Sequence, residues 1–551
     1  MMRNTYLSCL IFMGLLNGIG QNALATDYYV HPTLGSDTNT GTSKSSPIQT
    51  LTKASSLPLQ SGDRLLLADG QTFVGSLRCP GWQGSAGQPI VIESVSWQNT
   101  AGFKPALIDA KNEAEGILLL DCSHVYVRNV AITANGYTTR NPQQAMRVGV
   151  LVTTEKAKKV VDIRLEKLNI ADVFYENPGV VRTAEEVKSP NGTQKYGWGI
   201  RLINSVEAAV MENIRIADCV VQNVSHTGIK LTGKNQNIQR VDITGNRVQR
   251  SGGPGIQMSG VKFVYVGRNE VKYSGSTDDG RKWGRGSGLW TWGASQVLIE
   301  KNSFMYANGP GDSAGAHIDY NCDNVVMQYN FSAHNAGGFC EILGNNYNCA
   351  YRYNISVDDG HRIKGENGAF QEGKIFWLSG YQGNQRERKG PINSYFYNNT
   401  IYTSPGKVGR LAIDNGSQGV LIANNIFYVP AGLKSVQGDQ LKPDESEGLG
   451  LERVLFTHNL YLKADCWPTD AIIQDRGAQV GDPKFSKPGS LNPADYLPKN
   501  RQAVRAKGIA IPYLESDTFG LMQGLKMNTD FMGNPVPDTP GLGAIEVGEM
   551  E

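Results

Sequence analysis

The sequence predicts an all-β chain wound as a solenoid, on three observations. Glycine supplies 64 of 551 residues, about 12% against roughly 7% in average proteins, and no Gly-X-Y period organises it. Helical periodicity of apolar residues is absent, and helix interiors avoid glycine. A short phrase also recurs: VDITGNRV, VYVGRNEV, VLIEKNSF, VVMQYNFS, AYRYNIS, SYFYNNTIY, VLIANNIFY and VLFTHNLY. Its asparagines are Asn246, Asn269, Asn302, Asn330, Asn354, Asn399, Asn425 and Asn459, and intervals of 23, 33, 28 and 24 residues separate the first five. Such spacing suits one coil of a solenoid with loops of variable length. β-Branched or aromatic residues flank each polar turn residue, so each phrase is predicted as strand, turn, strand.

In chain order, residues 1–25 come first: one cation at Arg3, an apolar run from Leu7 to Leu16, and Ala23, Leu24, Ala25. This is the pattern of a signal peptide cleaved after Ala25, and it predicts a secreted or periplasmic protein. A membrane anchor would need about 20 unbroken apolar residues, and Asn17 and Asn22 interrupt the run. The rest, 26–551, is predicted as one domain, with an N-terminal cap over about 26–75 and closing coils over about 480–551. With 40% apolar and 19% charged residues it can bury a large core. A net charge of +2 lacks the basic imbalance of a nucleic-acid binder. Beyond Cys9, seven cysteines (Cys79, Cys122, Cys219, Cys322, Cys340, Cys349, Cys466) stand at no CxxC spacing. They are expected as small apolar fillers rather than zinc ligands. Pairing of Cys340 with Cys349 stays open, as does the oligomeric state.

Both ends carry a resemblance. YYVHPTLGSDTNTGTSKSSPIQTLTKA and SGDRLLLADGQTF near the start, and GDPKF and GNPVPDTPGLGAIE near the finish, resemble the entry segment, capping helix and last coils of secreted carbohydrate-active proteins of the right-handed parallel β-helix family. The resemblance spans nearly all of residues 27–546. It implies a single-stranded right-handed parallel β-helix with an N-terminal capping helix and long loop insertions.

Glycines precede a second line of repeats: Gly199, Gly228, Gly255, Gly288, Gly315, Gly337 and Gly360. Alternate strand residues face opposite sides. Positions one and three after each glycine are mostly small or apolar and are expected inside. Positions two and four then face outward: Lys230/Thr232, Gln257/Ser259, Trp290/Trp292, His317/Asp319, Phe339/Glu341 and Arg362/Lys364. Counted this way, Asp319 and Glu341 occupy one column on successive coils. Neighbouring strands lie about 4.8 Å apart, near the roughly 5–5.5 Å carboxyl gap of a retaining glycosidase.

AHIDYNCDNVVMQYN followed by GGFCEILG also resembles the active-site stretch of retaining β-xylosidases built on a parallel β-helix. That resemblance implies Asp319 as nucleophile and Glu341 as acid/base. Trp290 and Trp292 offer apolar faces for sugar rings. His317 is a candidate to orient a carboxylate or bind a hydroxyl, and His226 a candidate at the cleft edge. The plainer alternative is a surface ion ladder of Asp319 and Glu341 with Arg362 and Lys364. Insertions at about 175–197, 274–286 and 365–393 are expected to build the binding face. They carry Trp283 and arginines that suit an acidic or sulfated glycan.

Together these observations predict a glycoside hydrolase needing no cofactor. Two rivals stay open. A polysaccharide lyase would use Lys230, Arg362 or Lys364 as base, with calcium held by Asp278, Asp279 or Asp312. A glycan-binding β-helix would have no turnover.

Overall fold

A computed structural model describes residues 25–97, 102–190, 192–383, 385–414, 416–436, 453–469, 471, 473–515 and 517–548. The expected signal peptide, apart from Ala25, lies outside these residues.

Strands alternate among three sheets, and all but the terminal coils contribute one strand to each. The first sheet runs from Asp27–Val30 to Asp475–Arg476, the second from Leu77–Pro80 to Leu433–Ser435, and the third from Thr72–Val74 to Gln479–Val480. Paired strands within the sheets are parallel. Inward columns hold the core together. One reads Ile200, Ile229, Ile256, Leu289 and Ala316 in unbroken register, all fully buried. Burying one such aliphatic side chain contributes roughly 1.5–3 kcal/mol, and the coils repeat it along the solenoid.

The recurring asparagines form a buried ladder between the first and third sheets. In Asn330, Nδ2 donates to Ile299 O (2.9 Å) and Asn354 Oδ1 (3.0 Å), while its Oδ1 accepts from Asn302 N and Nδ2, each at 3.0 Å. The pattern repeats from Asn246 to Asn459 and ends on Asp475, which accepts from Asn459 Nδ2 at 2.8 Å. The residue before each ladder asparagine takes positive φ, as at Tyr329 (55°) and Tyr353 (51°). That conformation costs on the order of 1 kcal/mol, which the satisfied amides offset. Asn330→Ala is expected to leave buried donors and an acceptor unpaired and to lower stability by roughly 2–4 kcal/mol, measured as a shift of the urea midpoint.

The N-terminal helix is a single turn, Leu51–Ser55, capped by Thr50, with Leu51 and Ala54 buried. Ser55 Oγ accepts from Arg78 N on the first strand of the second sheet. The cysteines other than Cys9 are buried, unbridged thiols. Two expectations need correction. The insertion expected over 365–393 is two loops divided by the strand Phe376–Leu378. The closing coils expected over 480–551 are instead a strap. No strand follows Gln479–Val480 among the described residues, and the chain returns over the outer face of the first sheet, packing Leu514, Leu521, Leu525 and Met527 on Tyr329, Tyr353, Tyr395 and Tyr397. The prolines and glycines of this tail break the strand alternation that another coil would need.

Candidate active site

The outward face of the second sheet forms the floor of a cavity of about 1120 Å³. Lys230, Gln257, Trp290 and His317 pair in register from coil to coil. Because Ile318 pairs with Ile342, Glu341 follows His317 in that column, and Trp377 follows Glu341. Thr232, Ser259 and Trp292 form the adjoining column, and Asp319 extends it one residue past the strand Ala316–Ile318. Residues from the 273–288, 358–375 and 379–391 loops, among them Arg285, Arg362, Tyr381 and Arg386, line the walls.

The register differs from the glycine count at one coil. Gly116, Gly149, Gly199, Gly228, Gly255, Gly288 and Gly315 are a true column, because a Cβ on each of the first six would lie 2.2–2.8 Å from the next glycine's carbonyl oxygen. Phe339, not Gly337, takes the next place: Ala314 bridges to Gly338, and Phe339 is buried in the core rather than outward. The count therefore slips by two residues. Glu341 keeps its face but lies beside His317 and diagonal to Asp319, a backbone offset of about 7–8 Å.

Three carboxylates surround one imidazole. His317 Nε2 lies 3.8 Å from Asp319 Oδ2, and its ring stacks on Trp290 at 6.0 Å and 16°. Burial pushes the Glu341 carboxyl up to about 7, aided by the charges of Asp319 and Asp312 and opposed by His317 and Lys374. Burial works against protonated His317, yet Glu341, Asp319 and Asp312 raise it to about 9. Burial would also raise Asp312, but its pairing with Arg285 (2.8 and 3.1 Å) holds it below the usual range. A carboxyl pushed up toward neutral pH thus stands near Asp312, held down, and His317, held up, and environments that push titratable groups apart separate an acid from a base.

The aromatic residues divide by exposure. Trp292 is 44% exposed, edge-on to Trp290 and 5.0 Å from Tyr320. Trp283, although on the cavity wall, is buried: it stacks on His226 at 4.7 Å, and its Nε1 donates to Glu186 O.

Several other expected site residues are not on the outward strand columns. His226 is buried beneath the face, among Tyr196, Trp198 and Trp283, and burial keeps it neutral. Arg362 and Lys364 are in a loop, not on a strand. The Arg362 guanidinium is occupied by the carbonyls of Gln371, Gly309 and Asp312, and Lys364 is exposed away from the cavity lining. Two of the three bases considered for a lyase are thereby displaced. Of the carboxylates considered for calcium, Asp278 pairs with Arg250 and Lys282, Asp279 with Arg281, and Asp312 with Arg285. No group of three or more His, Cys, Asp and Glu among the described residues is arranged to hold a metal. Sequence reasoning overlooked Asp312 as a wall carboxylate and Trp377 as the column neighbour of Glu341. The alternation in Phe376, Trp377 and Leu378 was the available signal for the second.

A family model described as "Right handed beta helix region" matches residues 198–360. The chain is a right-handed parallel β-helix. This β-helix is 23% identical to a lacto-N-biosidase of Bifidobacterium longum subsp. longum, over 95% of the chain but 36% of that relative's length. Two crystal structures of a GH136 lacto-N-biosidase from Eubacterium ramulus share 20% identity. The selenomethionine form has a TM-score of 0.52 over 75% of the β-helix and 67% of the other chain. The native form has 0.50 over 75% and 68%.

Proposed function

We propose that this protein is a glycoside hydrolase that cleaves an oligosaccharide, with Glu341 as general acid/base and Asp319 as nucleophile. The observation that carries it is the buried Glu341, its carboxyl pushed up by burial, beside His317 and diagonal to Asp319 in a tryptophan-lined cavity. Glu341 donates its proton to the leaving glycosidic oxygen as Asp319 attacks the anomeric carbon. It then takes a proton from the water that releases the sugar. A retaining reaction requires the two carboxyl groups to stand about 5–5.5 Å apart, so the Glu341 side chain has to lean across the diagonal offset toward Asp319. Likeness to lacto-N-biosidases supports attack on a glycosidic bond. Cations on the wall, Lys230 foremost, favour a glycan bearing carboxylate or sulfate groups, and the signal-like first 25 residues support export. Among the described residues no helix is long and apolar enough to cross a membrane.

Digesting a panel of neutral, uronic and sulfated oligosaccharides tests this directly. Products are expected to gain one water by mass, and the first-formed anomer, read by NMR, to keep the configuration of the substrate. An unsaturated, ultraviolet-absorbing product would replace hydrolysis with elimination, and an inverted anomer would remove the nucleophile role. Trp292→Ala is expected to raise KM about tenfold through lost ring stacking while changing kcat less, measured by steady-state kinetics on the best substrate of the panel.

A further inference from the structure

The end of the groove farthest from Glu341 holds buried polar groups that have no partner among the described residues. Lys230 is 9% exposed and Gln257 5%. Both line the cavity, and neither side chain has a hydrogen-bond or ion-pair partner among the described residues. Thr232 Oγ1, on the same wall, is buried and unpartnered. Arg201 precedes Lys230 in the column, so two cations are adjacent. Glu207 is spent on Lys234 of the rim, 3.1 Å away. The wall carboxylates Asp312, Asp319, Glu341 and Glu372 belong to other coils. Burying an ammonium is costly unless an anion compensates it, and burial followed by the charge of Arg201 lowers Lys230 to about 7.

We propose that Lys230, Gln257 and Thr232 form a subsite for an oxyanion substituent, carboxylate or sulfate, on a sugar remote from the cleaved bond. Lys230 and Glu341 are four coils apart, about 19 Å at the strand spacing. A glycan lying along the groove therefore presents its charged group about three or four sugars from the scissile linkage. The position rests on the hydrolase reading, which sets where cleavage occurs; the subsite itself does not.

The test measures binding by calorimetry in the Glu341→Gln background, which removes both turnover and the titration of that carboxyl. Probes are matched neutral, uronate-bearing and sulfated oligosaccharides of four or more sugars. The acidic probes are expected to bind about tenfold or more tighter than their neutral counterparts at pH 6. Lys230→Met is expected to abolish that ratio and Lys230→Arg to preserve it. Of the other groups facing Lys230, Arg201 stays cationic, buried His226 stays neutral, and Glu207, held down by Lys234, stays ionised. Binding an anion then draws a proton onto Lys230, and the preference is expected to shrink from pH 6 to pH 8.5 in buffers that also reveal proton uptake. The uronate and sulfate arms identify which oxyanion is read. No acidic preference at pH 6, or a preference that survives Lys230→Met, overturns the subsite. Full turnover in Glu341→Gln would instead overturn the hydrolase reading and leave the binding comparison intact.

Discussion

Glu341→Gln is expected to lower kcat by about a thousandfold on a natural glycosidic bond, within the range for losing a general acid. The loss should shrink on an aryl glycoside whose leaving group departs without a proton. The wild-type pH profile carries the same signature. Glu341 must hold its proton to donate it, and burial raises its carboxyl to about 7. Turnover is therefore expected to be full below that value and to fall as pH rises through it. In the Gln variant this alkaline limb disappears, because an amide does not titrate. Initial rates from pH 4.5 to 9 on both substrates measure it, and an unchanged alkaline limb in the variant would assign the acid to another group. His317, raised to about 9, is the next proton donor to examine in that event.

Asp319→Asn is expected to cost more, on the order of ten-thousandfold in kcat, because a nucleophile is removed rather than weakened. KM should change little, since the floor of Trp290 and Trp292 is untouched. Asp319→Gly with added azide separates loss of the nucleophile from loss of fold: azide entering the vacated space should restore turnover and give a glycosyl azide of inverted configuration. Asp312 is the competing carboxylate. Its two oxygens are held by Arg285, so Asp312→Asn is expected to shift the pH profile through Glu341 and His317 without azide rescue. Rescue at 312 and not at 319 would exchange their roles.

The column from Lys230 to His317 was legible in the sequence because Gly228, Gly255, Gly288 and Gly315 sit where only a missing Cβ fits between coils. A steric requirement of that kind leaves a periodic trace. It stops at Phe339, which fills the corner with a ring, and the count then slips by two. Strand alternation has period two, so Glu341 stayed on the correct face; a slip of one would have exchanged it with buried Cys340. Arg362 and Lys364 were misplaced for a different reason. Gly360, with φ of 72°, opens a loop whose path is set by the distant carbonyls of Gly309 and Asp312, and no local pattern encodes such contacts. The burial of His226 likewise depends on Trp283, 57 residues on. Fold follows from local repetition here, whereas the walls of the site follow from loops meeting at long range.

The C-terminal strap changes how this solenoid should come apart. In a stack of coils each touches only its neighbours, so stability is a sum of nearest-neighbour terms and unfolding can begin anywhere and stop. The strap adds bonds across several coils at once: Tyr329 OH to Thr529 O, Tyr397 OH to Leu525 O, Asn424 Nδ2 to Ile509 O and Asn398 Nδ2 to Gly541 O. Sequence separations reach 200 residues, so these contacts form late, after the coils they span. Once formed, they link the coils at Tyr329, Tyr353 and Tyr397 into one cooperative block next to the coils that carry Asp319 and Glu341. Amide exchange should accordingly be slowest beneath the strap and should rise there in concert, rather than coil by coil, when the strap is cut.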